Sequence, residues 1–545
     1  MRLRSSLVFV VALFAILVVR AVEIQIVHGA EYEAKAQQQQ VRSFATTSKR
    51  GVIYDRNGEE LAVSRRMASI IADPLLVKDP VAAAEALAPI LGQEAAGLVD
   101  RLTGNSRFSF VARKVDPTVG QRVLDLGLRG LSIRPEEKRV YPKGALAPQL
   151  LGYVGTDNFG LAGVEKQYDE RLTGVSGKRS VVGDPFGRTL GVLFDKEGQE
   201  GRSVVLTIDE DIQFAAEQAV ADAVEKFGAL KGTAIVLDPR NGEVLAMANV
   251  PYFDTNEFGL QKEEERRNTA VTDQYEPGST FKMVVAAAAL EAGLVEPGTS
   301  FDLAPTITVY DRTVHEAHED IPAVRSMTVT DILAQSSNVG AVTLGLEVGK
   351  ERLIHAIYDF GFTRRTGIDF PGEATGSMLA ADEWSGTTIA NVPMGQGISI
   401  TSIQLAAAYG AIANEGIYVQ PHLSNESATK PPHRVVSEDV ARQLKDMLQV
   451  SVAIGTGQEA QVKGYTVAGK TGTAQKVLPN GGYSNDTFIA SFIGMVPAED
   501  PALVILVSID EPTVEYYGSV VAAPAFAQIA DFALRRLGIP PTGQQ

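Results

Sequence analysis

The run from Leu7 to Val27, apolar except for Arg20, Glu23 and Gln25, is the strongest constraint on how this chain folds. A helix that crosses a bilayer needs about 20 apolar residues, whereas a cleavable export signal needs only about 7–15. The unbroken stretch Leu7–Val19 lies between the two, and Ala34-Lys35-Ala36 has a small-x-small cleavage pattern, although far from the apolar core. An uncleaved anchor is the favoured reading. Arg2 and Arg4 precede it, and basic flanks stay in the cytoplasm. The expected location is therefore the cell membrane, single-pass, with a cytoplasmic N-terminus and the bulk of the chain extracytoplasmic. Arg20, near the outer end, either snorkels to the headgroups or faces another membrane helix.

At 545 residues there is room for two to four domains of ordinary size. The net charge of −16 speaks against nucleic acid as a partner, because an acidic surface repels phosphates. There is no cysteine, which excludes disulfides, thiolate metal sites and a cysteine nucleophile.

Outside the membrane, residues 28–42 include Gln37–Gln40 and read as a polar linker. Asn57-Gly58 between β-prone segments predicts a hairpin, since both turn positions favour φ > 0. Residues 81–125 are partly helical in period, with Pro89 expected to kink or break the pattern. Residues 139–200 are Gly-rich and strand-like, with a turn at Asp184-Pro185-Phe186-Gly187. A new domain opens near Gly201, with a strand at Val204–Ile208 and an amphipathic helix at Asp211–Phe227. A hairpin follows, turning at Arg240-Asn241-Gly242. Helices are expected at 283–293, 329–348 and 403–413, then strands at 466–475, 487–495 and 503–509, and a closing helix at 522–537. This order predicts a mainly antiparallel sheet flanked by helices.

Three motifs fall inside that second domain. Ser279-Thr280-Phe281-Lys282, Ser336-Ser337-Asn338 and Lys470-Thr471-Gly472-Thr473 are separated by 57 and then 134 residues. A three-residue step on a helix puts Lys282 on the same face as Ser279. The positive end of a helix disfavours a protonated lysine and favours an oxyanion, and burial lowers the lysine pKa further. The pattern describes an acylating serine, Ser279, with Lys282 as general base. Ser336 offers a hydroxyl that can pass on the proton, and Asn338 an amide for the substrate backbone. Lys470, Thr471 and Thr473 offer a cation and hydroxyls to a substrate carboxylate, and Gly472 offers close backbone approach. The Thr473 and Ser279 amides can form an oxyanion hole. Taken singly, each motif has an ordinary structural explanation: a helix N-cap at Ser279, a turn at Ser336-Ser337-Asn338 and an edge strand at Lys470.

With these motifs, Arg267-Asn268, Tyr275-Glu276-Pro277-Gly278, Met394-Gly395-Gln396-Gly397 and Gly469–Ala474, the chain closely resembles a class B penicillin-binding protein. Arg50-Gly51, Asp55-Arg56-Asn57-Gly58, Arg139-Val140-Tyr141-Pro142 and Gly163-Val164-Glu165-Lys166 resemble the family's pedestal motifs and extend the likeness over nearly the whole chain. The last of these, with Ser337-Asn338-Val339-Gly340, favours the division-type, FtsI-like branch over the elongation type. The resemblance implies an α+β multidomain chain. Residues 1–27 would form the cytoplasmic tip and anchor, 28–200 an elongated strand-rich pedestal or dimerisation domain, and 201–545 a transpeptidase domain.

The resemblance further implies a peptidoglycan DD-transpeptidase. Ser279 would attack the penultimate D-alanine of a stem peptide and expel the terminal one, and an amine of a neighbouring stem peptide would resolve the acyl-enzyme. β-Lactams would acylate the same serine. The partners implied are peptidoglycan stem peptides, a membrane glycosyltransferase of the FtsW/RodA kind and division proteins. A DD-carboxypeptidase or β-lactamase-like hydrolase and a non-catalytic β-lactam sensor are the rival readings. No cofactor or metal is expected: His315 and His318 have the spacing of a ligand pair, but residues 311–325 read as a loop and no third ligand stands out.

Overall fold

The computed structural model describes residues 2–32, 41–46, 48–183, 189–316, 323–427, 429–478 and 481–542. Ala34-Lys35-Ala36, Gln37–Gln40, the turn at 184–187 and His318 lie outside the described residues. The chain forms two compact units that interleave along the sequence. One comprises Met1–Gly51, Val63–Val140 and Glu170–Ser203, the other Val52–Ala62, Tyr141–Asp169 and Val204–Gln545.

In the first unit an α-helix runs from Arg2 to Val22 and continues as a wider π-helical turn over Glu23–Val27. Ser5–Val27, with a mean hydropathy of 2.7, is long and apolar enough to cross a membrane. Arg20 pairs with Glu23 at 2.5 Å. Both charges stand on one face, one turn apart, so each offsets the desolvation of the other. This local partner is a third option beside snorkelling and a second helix.

The body of the first unit is built on the long strand Glu60–Ala72. From Val63 to Ala72 it pairs antiparallel with Leu131–Val140, and near its end with Ser109–Val115. Ile70, Leu87, Leu98, Leu102 and Val111 form the core under helices Pro80–Leu91 and Ala95–Leu102. The first of these helices starts on Asp79, whose carboxylate accepts from Ala82 N, and ends at Gly92 with φ +63°. Pro89 does not break it. The ring falls in the last turn, where losing one N–H donor costs little helix. A separate three-stranded sheet joins Val41–Thr46, Gly177–Gly183 and Thr189–Lys196.

The second unit carries the five-stranded antiparallel sheet expected from the sequence. Its spatial order is Val244–Val250, Lys231–Leu237, Leu503–Asp510, Tyr483–Val496, Ala468–Val477. Every residue of the central strand Leu503–Asp510 is buried, so side chains of both parities are covered and the sheet has helices on both faces. One layer includes Glu210–Phe227 and Ala523–Arg536, sharing a core with Val236, Phe492, Ile505 and Phe526. Helix Glu210–Phe227 is set by Asp209, whose side chain caps Asp211 N and Ile212 N, and by Gly228 at φ +58°. Helices Lys282–Glu291 and Ser402–Ala413 are buried almost throughout, and Tyr409 donates to Thr280 O at 2.8 Å.

Several expectations need correction. The strand expected at Val204–Ile208 is only Val204–Val205, because its partner Ile53–Tyr54 is just as short. Within residues 148–172, Pro148–Leu151, Gly163–Gln167 and Asp169–Leu172 are short helices, and the segment between the first two is a turn closed by a bridge from Val154 to Gly160. The helix expected over 329–348 is two helices, Val329–Ala334 and Asn338–Val348, parted where Ser336 turns to φ +61°. Residues 311–325 are not all loop, since Arg312–His315 pairs with Thr306–Val309.

Candidate active site

The segment around Ser279 is built by glycines that let backbones touch. Gly278 has φ +56° and donates its amide to Gly395 O at 3.1 Å. A Cβ on Gly395 would lie 2.1 Å from Gly278 O, so the Met394–Gly397 segment can buttress the turn only as glycine there. Gly397 N donates to Glu276 Oε1 at 2.7 Å, and Tyr275 bridges Ile400. Ser279 lies on the 3₁₀ turn Gly278–Phe281 that leads directly into helix Lys282–Glu291. Its hydroxyl caps neither element, which removes the N-cap explanation for this serine.

Lys282 is the first residue of the helix, 2% exposed. Its Nζ donates to Ser336 O at 2.6 Å and to Asn338 Oδ1 at 2.8 Å, with Ser336 Oγ at 3.4 Å. Burial pushes the amine down to about 7, opposed by the negative charge of Glu316. An amine that titrates near neutrality is a competent proton acceptor at neutral pH. Ser336 occupies the left-handed position just past helix Val329–Ala334, where Ser337 N reaches back to Ile332 O. Glycine is the usual residue there; serine supplies a hydroxyl beside the lysine instead.

The third motif lies on Ala468–Val477, the edge strand next to Tyr483–Val496. Lys470 is fully buried, and its Nζ is 3.2 Å from Thr471 Oγ1 and 3.4 Å from Thr456 Oγ1. Burial holds its pKa well below the ordinary lysine value, and Lys282 pushes the same way. The two motifs therefore share one electrostatic site. Thr473 Oγ1 accepts from Gly518 N at 3.1 Å. The packing around Gly472 also demands glycine. A Cβ there would meet Ser491 Oγ at 2.4 Å and Thr280 Cγ2 at 3.0 Å, so glycine admits the Ser279-Thr280 segment against the strand.

Sequence reasoning missed three contributors, Glu316, Thr456 and Tyr516, and named Glu276 only as part of a motif. Glu316 holds Ser337 Oγ and Asn338 N. Thr456 links to Thr471 Oγ1 at 2.9 Å. Glu276 is a buried carboxyl raised above its usual range by burial. Tyr516 stacks on Phe488 at 4.4 Å and neighbours Tyr517, giving an aromatic wall next to Gly518. Of the three missed, only Tyr516 had a local signal, a Tyr-Tyr-Gly run. Among the described residues, no group of three or more His, Asp or Glu side chains is placed to hold a metal ion.

Comparison with known proteins gives two family matches. Residues 232–531 match the penicillin binding protein transpeptidase domain, and residues 45–206 match the penicillin-binding protein dimerisation domain. The peptidoglycan D,D-transpeptidase FtsI of Escherichia coli is 35% identical, over 92% of this chain and 86% of that protein. The penicillin-binding protein PbpB of Mycolicibacterium smegmatis is 34% identical, over 97% and 90%. Among solved structures, penicillin-binding protein 3 of Mycobacterium tuberculosis in complex with aztreonam superposes with a TM-score of 0.72 at 32% identity, covering 92% of this chain and 98% of that one.

Proposed function

The chain belongs to the class B penicillin-binding proteins, and on that footing we propose that it cross-links peptidoglycan as a serine-type D-Ala-D-Ala transpeptidase in which Ser279 carries the acyl group. Lys282, as the neutral amine, takes the Ser279 proton while the hydroxyl oxygen attacks the penultimate D-alanine carbonyl. The Ser279 and Thr473 amides receive the developing oxyanion. The proton then passes by way of Ser336 Oγ to the nitrogen of the departing D-alanine. The acyl-enzyme is resolved by an amine of a second stem peptide, whose proton returns along the same path. Lys470, Thr471 and Thr473 hold the donor's terminal carboxylate, Gly472 keeps the strand close, and Asn338 hydrogen-bonds the donor backbone.

One observation carries this assignment of roles: a fully enclosed lysine amine, brought to about 7 by burial, held against the Ser336-Ser337-Asn338 turn one helical turn from Ser279. An enclosed amine that must be charged would be paired with a carboxylate, and no carboxylate touches this one among the described residues.

The likeness to FtsI supports a division-type role. The apolar span Ser5–Val27 supports a single-pass anchor, and Arg2 and Arg4 before it support a cytoplasmic N-terminus. We read residues 1–27 as tip and anchor, 28–200 as the pedestal and 201–545 as the transpeptidase domain, working with a membrane glycosyltransferase of the FtsW/RodA kind and division proteins. β-Lactams acylate Ser279 as donor mimics.

The test is to incubate the protein in detergent with a stem pentapeptide and a D-amino-acid acceptor. Formation of the exchanged peptide is expected. Hydrolysed tetrapeptide as the sole product would replace the transferase with a carboxypeptidase.

A further inference from the structure

Glu316 directly follows the strand Arg312–His315, outside the three motifs, and its side chain is only 5% exposed. Its Oε1 accepts from Ser337 Oγ at 2.5 Å and from Arg325 Nη2 at 3.1 Å. Its Oε2 accepts from Asn338 N at 2.7 Å. The neighbouring His315 carbonyl accepts from Asn338 Nδ2 at 3.1 Å. That last bond fixes the amide orientation, because an amide whose NH₂ is committed to a carbonyl must turn its oxygen the other way. The oxygen so directed is the one 2.8 Å from Lys282 Nζ.

The turn also needs holding. Ser336 has φ +61°, a conformation non-glycine residues keep only when their surroundings over-determine it. Both residues that follow it are tied to the Glu316 carboxylate, and the Ser336 carbonyl thus presented is 2.6 Å from Lys282 Nζ. We propose that Glu316 is a positioning residue for acylation, clamping the Ser336–Asn338 turn so that a carbonyl and an amide oxygen face Lys282, and setting the local field in which that amine gives and takes its proton. The inference rests on the assignment of Lys282 as base.

The charges around the pair are of both signs. Arg325 offsets part of the Glu316 charge. Lys282 in turn disfavours the protonated form of Lys470, on the strand facing it. Glu316 favours the protonated form of Lys282. Removing the Glu316 charge therefore leaves Lys282 neutral at lower pH.

The experiment measures second-order acylation by a fluorescent penicillin from pH 5.5 to 9, using the full-length protein in detergent. Glu316→Gln, Glu316→Asp and Glu316→Ala are compared with wild type, and Ser279→Ala serves as the blank. For the Gln and Ala variants we expect a loss of about 10- to 100-fold at the optimum, the scale of lost charge-assisted hydrogen bonds, together with an acid limb displaced to lower pH. Glu316→Asp keeps the charge but shortens the reach, so it should lose rate with the limb near its wild-type position. Wild-type rates in Glu316→Gln overturn the proposal. So does a uniform loss at every pH with an unmoved limb, which would make Glu316 a structural contact only. Glu316→Gln retains an acceptor for Ser337 and so tests the charge even if Glu316→Ala does not fold. Failure of the wild type to label at Ser279 would instead remove the catalytic assignment, a separable result.

Discussion

Lys282 Nζ donates to the carbonyl oxygen of Ser336 at 2.6 Å, from a helix start to the one left-handed residue of the facing turn. The bond joins the first two sequence motifs, and among the described residues no carboxylate touches the lysine. A buried amine in that setting resists protonation, and its pKa falls to about 7 through burial, with Glu316 opposing.

The base should therefore be visible in the pH profile. The active form is the neutral amine, so acylation rises with pH up to about 7 and then levels, falling tenfold per pH unit on the acid side. Lys282→Met keeps most of the buried stem without the amine and should fold, while acylation drops by at least ~10²-fold. Titrating the penicillin labelling rate checks both. Near-wild-type labelling of the variant would mean that another group takes the proton.

Ser336 should show a trade between stability and activity. Its φ of +61° costs a serine about 1 kcal/mol that glycine does not bear. Ser336→Gly should melt higher than Ser336→Ala, and both should be slow in acylation because both lack the hydroxyl near Lys282. Equal melting temperatures for the two variants would show that the turn is not strained.

The motifs, the helix Glu210–Phe227 and the hairpin at Arg240-Asn241-Gly242 were legible because their information is local: a spacing, an amphipathic pattern, and a turn glycine that takes φ +83°. The antiparallel sheet followed from strand order. What was not legible depends on distant chain. Residues 329–348 look like one helix until Ser336 is drawn toward Lys282, 54 positions earlier. Glu316 has no motif of its own, and only the fold puts it under Ser337. Gly472 was read as room for a ligand, and its packing against Thr280 and Ser491 is a second constraint that no local pattern shows. Arg20 was weighed against lipid and other helices, although its partner Glu23 lies one turn away.

Gly472→Ala tests that packing. The added methyl would sit 2.4 Å from Ser491 Oγ and 3.0 Å from Thr280 Cγ2, beside the nucleophile. Overpacking of this kind costs about 1–3 kcal/mol, and relief requires the edge strand and the Ser279 turn to part. The expected result is a lower melting temperature and a larger fractional loss of acylation than of donor-peptide binding. Ser491→Ala in the same chain removes the nearer clash and should recover part of the loss. No recovery would mean that the methyl acts elsewhere.

Far from the catalytic turn, Glu217 predicts how stability changes with pH. Its carboxyl lies inside helix Glu210–Phe227, accepts from Ala147 N and Gln213 Nε2, each at 2.8 Å, and is pushed up to about 7 by burial, with those two bonds pulling the other way. The unfolded chain ionises this group near 4.5. Between about 4.5 and 7 the folded protein therefore binds more protons than the unfolded one, and stability falls as pH rises through that window. The loss is complete above about 7 and is on the order of 3 kcal/mol. Glu217→Gln keeps an acceptor for both donors and cannot ionise, so it should lack this component. Thermal unfolding at pH 5 and pH 8 should show a smaller drop in the variant, which should be the more stable of the two at pH 8. Parallel drops would mean that Glu217 stays ionised in the folded core, held by its two donors against the cost of burial.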